Sequence, residues 1–154
     1  MPAISLPLDG SCRCGRVHIR LTSAPICTAA CHCRGCQKMA ASAYSLTAMV
    51  PVDALEVTSG DTVIGGMHAP ELQHHFCAHC MSWIFTRPVG MPFVNVRPTM
   101  FEDTRWFWPY IETHASARLP FAQTGAVKSF EKFPAMSEME GLLKGYAEWS
   151  AQAV

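Results

Sequence analysis

The octapeptide CHCRGCQK, Cys31 to Lys38, constrains this chain more than any other feature of it. Three thiols fall within six positions, and a C-x-C-x-x-C knuckle turns its side chains toward one point, which is most simply a metal ion. Two further pairs exist, Cys12/Cys14 and Cys77/Cys80. Seven cysteines in groups of two, three and two divide into one closed four-thiolate site and one site with three thiolates and a position to spare. Cys12 and Cys14 with Cys77 and Cys80 would staple two turns far apart in sequence, and metal binding there is folding energy. A four-thiolate zinc has no free coordination position and is structural by default. Cys31, Cys33 and Cys36 are therefore the candidate catalytic ligands, because a fourth ligand can come from outside.

At 154 residues the chain is long enough to bury about 70% of its unfolded surface, so one domain spanning 1–154 is expected and metal is not needed to offset small size. Lys and Arg number 12, as do Asp and Glu. Two Zn²⁺ on seven thiolates would bring the formal charge to −3, four positive charges against seven negative, which is no electrostatic footprint for nucleic acid. The start, MPAISLPLDG, lacks a basic segment followed by an apolar one, and no run approaches the roughly 18 apolar residues of a membrane span. A cytoplasmic protein without membrane partners is expected. Paired short spacings and the missing leader favour metal-bound thiols over disulfides.

Along the chain, residues 1–9 read as a lead-in arm, and Gly10 to Gly15 as a tight turn bearing the first thiol pair. Val17 to Leu21 alternates apolar and polar residues, as a half-buried strand does. Gln37 to Ala41 has room for one helical turn. Further short strands are read at Tyr44 to Val50, Leu55 to Thr58, Leu72 to Cys77, Trp83 to Thr86, Phe93 to Arg97 and Tyr110 to Ala115. Gly65-Gly66 marks a loop. The period then changes: Met139, Leu142, Leu143, Tyr146 and Trp149 recur at helical spacing, and Ser137 with Glu140 has the form of a capping box. A helix over about 137–152 follows, with its aromatic stripe docked on the domain.

Three thiolates make Zn²⁺ electron-rich, a poor generator of hydroxide but a good carrier of a further thiolate. A metal-bound thiol is ionised outright, whereas a free thiol with a pKa near about 8.5 is mostly protonated at neutral pH. Cys27, four residues before Cys31, is an alternative fourth ligand that would close the site. His32 lies between two ligands, so an extended turn should point it away from the metal to support the ligands from behind. His79 shares that ambiguity, His18 reads as an exposed strand residue, and His68, His74, His75 and His114 carry no distinguishing spacing. A nucleobase deaminase would need H-x-E ahead of P-C-x-x-C, and a zinc protease H-E-x-x-H; neither is present. A redox dithiol at Cys77/Cys80 lacks the surrounding βαβ pattern.

The order G-x-C-x-C-G at Gly10 to Gly15, CHCRGCQK at Cys31 to Lys38 and FCAHC at Phe76 to Cys80 resembles the glutathione-dependent formaldehyde-activating enzyme family, which includes centromere protein V. Arg118 to Phe121, RLPF, looks like that family's Arg-x-Pro-Trp region. The resemblance implies a mainly β protein, a β-tent of short antiparallel sheets stapled by zinc. It implies a structural zinc on Cys12, Cys14, Cys77 and Cys80 and a second, catalytic zinc on Cys31, Cys33 and Cys36. It further implies a carbon–sulfur lyase of the S-(hydroxymethyl)glutathione synthase type, with glutathione as co-substrate and formaldehyde or a related small electrophile as its partner. A homo-oligomer is compatible with this, and a non-catalytic zinc-stapled binding module is the alternative. The chain departs from the family pattern where Met81 replaces a glycine, Gln37 an arginine and Phe121 a tryptophan.

Overall fold

The computed structural model describes residues 3–152; the outermost two positions at each end of the expected 1–154 domain lie outside the described residues. The chain is mainly β. In order, its elements are β1 (Leu8–Ser11), β2 (His18–Leu21), β3 (Cys27–Cys31), α1 (Arg34–Ala40), β4 (Ser45–Pro51), β5 (Leu55–Ser59), β6 (Thr62–Gly65), β7 (Leu72–Cys77), β8 (Trp83–Pro88), β9 (Phe93–Val96), β10 (Ile111–Thr113), β11 (Lys128–Ser129) and α2 (Met139–Gln152). No helix among the described residues is long and apolar enough to cross a membrane. Two compact units emerge, one built from Ile4–Pro25 and Met49–Thr104, the other from Ile26–Ala48 and the chain from Arg105 onward. The first holds four of the clustered cysteines and the second holds three, and we call them the four-thiol and three-thiol units.

In the four-thiol unit, β2 sits between β1 and β5, both antiparallel to it. Its predicted alternation is real: Ile19 and Leu21 are buried while His18 and Arg20 face water. β6, β7, β8 and β9 form a second antiparallel run in chain order, which places Cys77 at the end of β7 just before the hairpin into β8. Gly65, expected in a loop with Gly66, instead ends strand β6, and Thr62–Gly65 pairs fully with His74–Cys77. The lead-in arm is also shorter than expected, because Leu8 and Asp9 already belong to β1. Gly10 is required here: a Cβ would stand 2.5 Å from the Met100 carbonyl oxygen.

The three-thiol unit departs from the all-antiparallel expectation. β10 runs parallel to β3, with Ile111 beside Ala29 and Thr113 beside Cys31, and parallel to β11. Parallel neighbours need a long connection, and about 80 residues separate these two strands. Helix α1 spans seven residues, more than the single turn expected, and starts before Cys36 rather than after it. α2 lies against β3. Leu142 and Tyr146 are buried, and Tyr146 and Trp149 meet the ring of Tyr110 at centroid distances of 5.6 and 5.3 Å. The aromatic stripe thus docks as expected. The capping box is shifted: Glu138, not Glu140, reaches back, its carboxylate accepting from the Ala135 amide at 2.8 Å, and a 3-10 turn over Met136–Glu138 leads into the α-helix.

Candidate metal centre

In the four-thiol unit the Sγ atoms of Cys12, Cys14, Cys77 and Cys80 all lie within 4.8 Å of one another. Individual separations are 3.5 Å for Cys12 to Cys14 and 3.8 Å for Cys14 to Cys77. A tetrahedral ion with metal–sulfur bonds of about 2.3 Å spaces its sulfurs by about 3.8 Å, whereas a disulfide needs about 2.05 Å. All eight cysteines of the chain are free thiols. Backbone amides also aim at the sulfurs: Val17 N–H donates to Cys12 Sγ at 3.3 Å and Cys80 N–H to Cys77 Sγ at 3.5 Å. Such donors favour the ionised sulfur a metal requires. The Ser82 hydroxyl holds Cys80 down at about 5. The Arg16 amide pulls Cys14 down too, but burial and the neighbouring thiols outweigh it and leave Cys14 at about 11.

The second group forms where β3 hands over to α1. Cys31 ends the strand, Cys33 caps the helix and Cys36 lies in its first turn. Their sulfurs also fall within 4.8 Å of one another, and all three residues are half-buried. The Cys33 sulfur accepts the Cys36 amide at 3.3 Å, so the helix N-terminus is capped by a candidate ligand instead of a hydroxyl or carboxylate. A hydrogen bond from the Cys36 thiol holds Cys31 at about 5, against burial and with help from the Thr113 hydroxyl. Giving that bond to an ionised neighbour pushes Cys36 up, and burial pushes it further. The all-sulfur donor sets and their spacing fit zinc, and the two clusters could each bind a metal ion.

Cys27 does not join this group. It and Cys31 are the two ends of one β-strand, and four residues at roughly 3.3 Å of rise place them about 13 Å apart. Cys27 is instead packed in the interior, where burial raises its thiol to about 11. His32 is fully buried and is not among the residues grouped with the three sulfurs. Its Nε2 lies 3.0 Å from Oε2 of Glu112. His79 is exposed; with Arg16, Gly60, Asp61, Cys77 and Ala78 it lines a surface cavity of about 300 Å³. His68 and His114 take left-handed turns, while His74 and His75 bond the hydroxyls of Thr86 and Thr62. None of these four is in a group of candidate metal ligands.

The residue missed from sequence is Glu112. Its carboxylate accepts hydrogen bonds from Thr124 Oγ1 at 2.7 Å, Ser129 Oγ at 2.8 Å and Arg118 Nη1 at 3.1 Å, in addition to His32. Burial works to raise its pKa, and the bonds from Thr124, His32 and Ser129 overcome this and hold it below the ordinary carboxylate value. Within the strand Ile111–Thr113 a lone glutamate reads as a solvent-facing position. Only the long-range pairing of β10 beside β3 reveals its partner.

A mainly β chain with a pair of thiol clusters, each able to hold a metal ion, defines a thiolate-metal protein class. The sequence narrows it further: residues 7–117 match the family model for glutathione-dependent formaldehyde-activating enzyme, and the chain belongs to that family. A crystal structure of a Rhodobacter sphaeroides protein shares the fold, with a TM-score of 0.51 over 62% of this chain and 88% of that one at 21% sequence identity. No curated protein matches the sequence.

Proposed function

We propose that the chain is a zinc-dependent enzyme of the carbon–sulfur lyase type, of the kind that forms S-(hydroxymethyl)glutathione. It handles an adduct between a small thiol, glutathione first among candidates, and formaldehyde or a related small electrophile. In this reading Cys12, Cys14, Cys77 and Cys80 hold a structural ion while Cys31, Cys33 and Cys36 hold the catalytic one. The observation that carries it is the count of three: among the described residues the second group gathers no fourth His, Cys, Asp or Glu donor, and its cysteines are half-buried rather than sealed. When bound there, zinc would keep a substrate thiol ionised at neutral pH.

The chain's own contribution is placement. Cys31 is fixed by the β3–β10 register, and Cys33 and Cys36 are fixed by the first turn of α1, so strand and helix together gather the three sulfurs. The reaction joins the thiol sulfur to the carbonyl carbon. The carbon–oxygen π pair moves to oxygen, and the proton lost by the thiol ends there, with no net oxidation or reduction. The reading includes a cytoplasmic location, where thiols stay reduced.

The test is thiol-dependent formaldehyde consumption by protein carrying two zinc ions by native mass spectrometry. Activity that vanishes in a folded Cys33→Ser variant supports the enzyme. Two bound ions without turnover for any small thiol would leave a zinc-stapled binding module instead.

A further inference from the structure

We propose that Glu112 is a positioning residue for the three-thiol loop: acting through His32, it sets how tightly the second ion is held without contacting it. This rests on reading Cys31, Cys33 and Cys36 as a metal site. His32 sits between two of those cysteines and is gripped at three points. Its amide donates to the Thr113 carbonyl at 3.0 Å, its own carbonyl accepts from Gln37 Nε2 at 2.7 Å, and its ring meets Glu112 at 3.0 Å. A carboxylate can only accept, so the ring must present Nε2–H to it. Glu112 is 5% exposed and holds four donors, two on each oxygen: His32 and Thr124 on Oε2, Arg118 and Ser129 on Oε1. Four donors match the roughly four acceptor sites of a carboxylate. Such a fully used acceptor is a rigid anchor, and rotating the imidazole away would leave one of its sites bare in a buried environment.

Of the four donors, only His32 lies in the ligand loop; the others tie down residues 118, 124 and 129. Burying a carboxylate, even beside an arginine, is a poor route to stability compared with apolar packing, so the network requires a positional explanation. Metal sites supply one, because they tolerate errors of only about 0.2 Å in ligand distance. Fixing residue 32 fixes the backbone of Cys31 and Cys33 on either side of it. Partners that orient metal ligands from behind change affinity by about 10- to 100-fold when removed.

The experiment titrates Co²⁺ into the parent, Glu112→Ala and Glu112→Gln proteins, reading thiolate-to-cobalt absorption under chelator competition. The parent is expected to take two ions. Glu112→Ala should keep one at parental affinity and hold the other about 10- to 100-fold more weakly. Glu112→Gln, which retains an oxygen for the His32 N–H, should recover part of that loss, and it carries the test should the alanine variant not fold. Parental affinity for both ions in the variants would overturn the proposal. So would an equal weakening of both ions alongside a lowered melting point, since that marks a general role in the fold. A parent that binds only one ion would overturn the metal reading itself, and this inference with it.

Discussion

Two glycines of α2 should respond to alanine with opposite signs. A Cβ at Gly141 would meet nothing within 4 Å, so Gly141→Ala should collect the helix-propensity gain of about 0.5–1 kcal/mol. A Cβ at Gly145 would stand 2.5 Å from the Tyr110 hydroxyl oxygen, about 0.9 Å short of ordinary van der Waals contact. That oxygen cannot swing clear. Tyr110 is 3% exposed, its ring is packed by Tyr146 and Trp149, and its amide is bonded to the Thr28 carbonyl. Overpacking of this kind costs about 1–3 kcal/mol, which outweighs the propensity gain and leaves Gly145→Ala net destabilised by about 1 kcal/mol. In a Tyr110→Phe background the nearest atom becomes the ring carbon at 3.6 Å, and the same substitution should then stabilise. For a chain of this length 1 kcal/mol moves the melting point by about 2–4 °C. Thermal melts at saturating zinc should therefore show a rise for Gly141→Ala, a fall for Gly145→Ala and a reversal of that fall in the phenylalanine background. Equal stabilisation by both alanines with Tyr110 intact would refute the packing argument.

Cys27→Ala should keep the parental zinc count by native mass spectrometry while losing about 1 kcal/mol of stability, because the thiol fills interior space and is not a ligand; loss of an ion would contradict the strand-distance argument. Met81 follows Cys80 with φ of +57°, the left-handed conformation for which glycine is suited. Met81→Val should thus lower the urea midpoint by the equivalent of about 1–2 kcal/mol relative to Met81→Gly, and equal midpoints would refute strain at the knuckle. Glu112 has a folded-state pKa depressed below 4.5, so its stabilising contribution is complete above that value and decays as pH falls through the folded pKa. The stability gap between parent and Glu112→Gln should therefore be widest near neutral pH and shrink below about pH 4.5, whereas a pH-independent gap would show that charge plays no part.

What the sequence made legible here is what local spacing encodes. Each thiol knuckle is a turn of a few residues, so the grouping of Cys12 with Cys14, of Cys31 with Cys33 and Cys36, and of Cys77 with Cys80 could be read directly. The period change at Met139 disclosed α2 for the same reason. Features that depend on unusual chemistry or on distant pairing were hidden. Helix α1 began earlier than expected because its cap is the Cys33 sulfur, which no list of capping residues contains. The box at the start of α2 was displaced because Glu138 bonds an alanine amide and needs no hydroxyl partner. Strand β6 is four residues long with a glycine at its end, and it becomes a strand only through β7. Cys27 was an alternative fourth ligand on sequence spacing alone, four residues before Cys31. Once Cys27 to Cys31 are extended in a strand, four steps of rise carry the Cys27 sulfur out of reach. Glu112 was the least visible of all, since its meaning lies in His32, 80 positions earlier, and in a parallel pairing that no local pattern announces. The same pairing places Thr113 beside Cys31 and Glu112 beneath His32, so one three-residue strand supplies both the register of the candidate ligand loop and its anchor. A variant that shifts that register should disturb the three-thiol group before it disturbs the four-thiol group, which shares none of these residues.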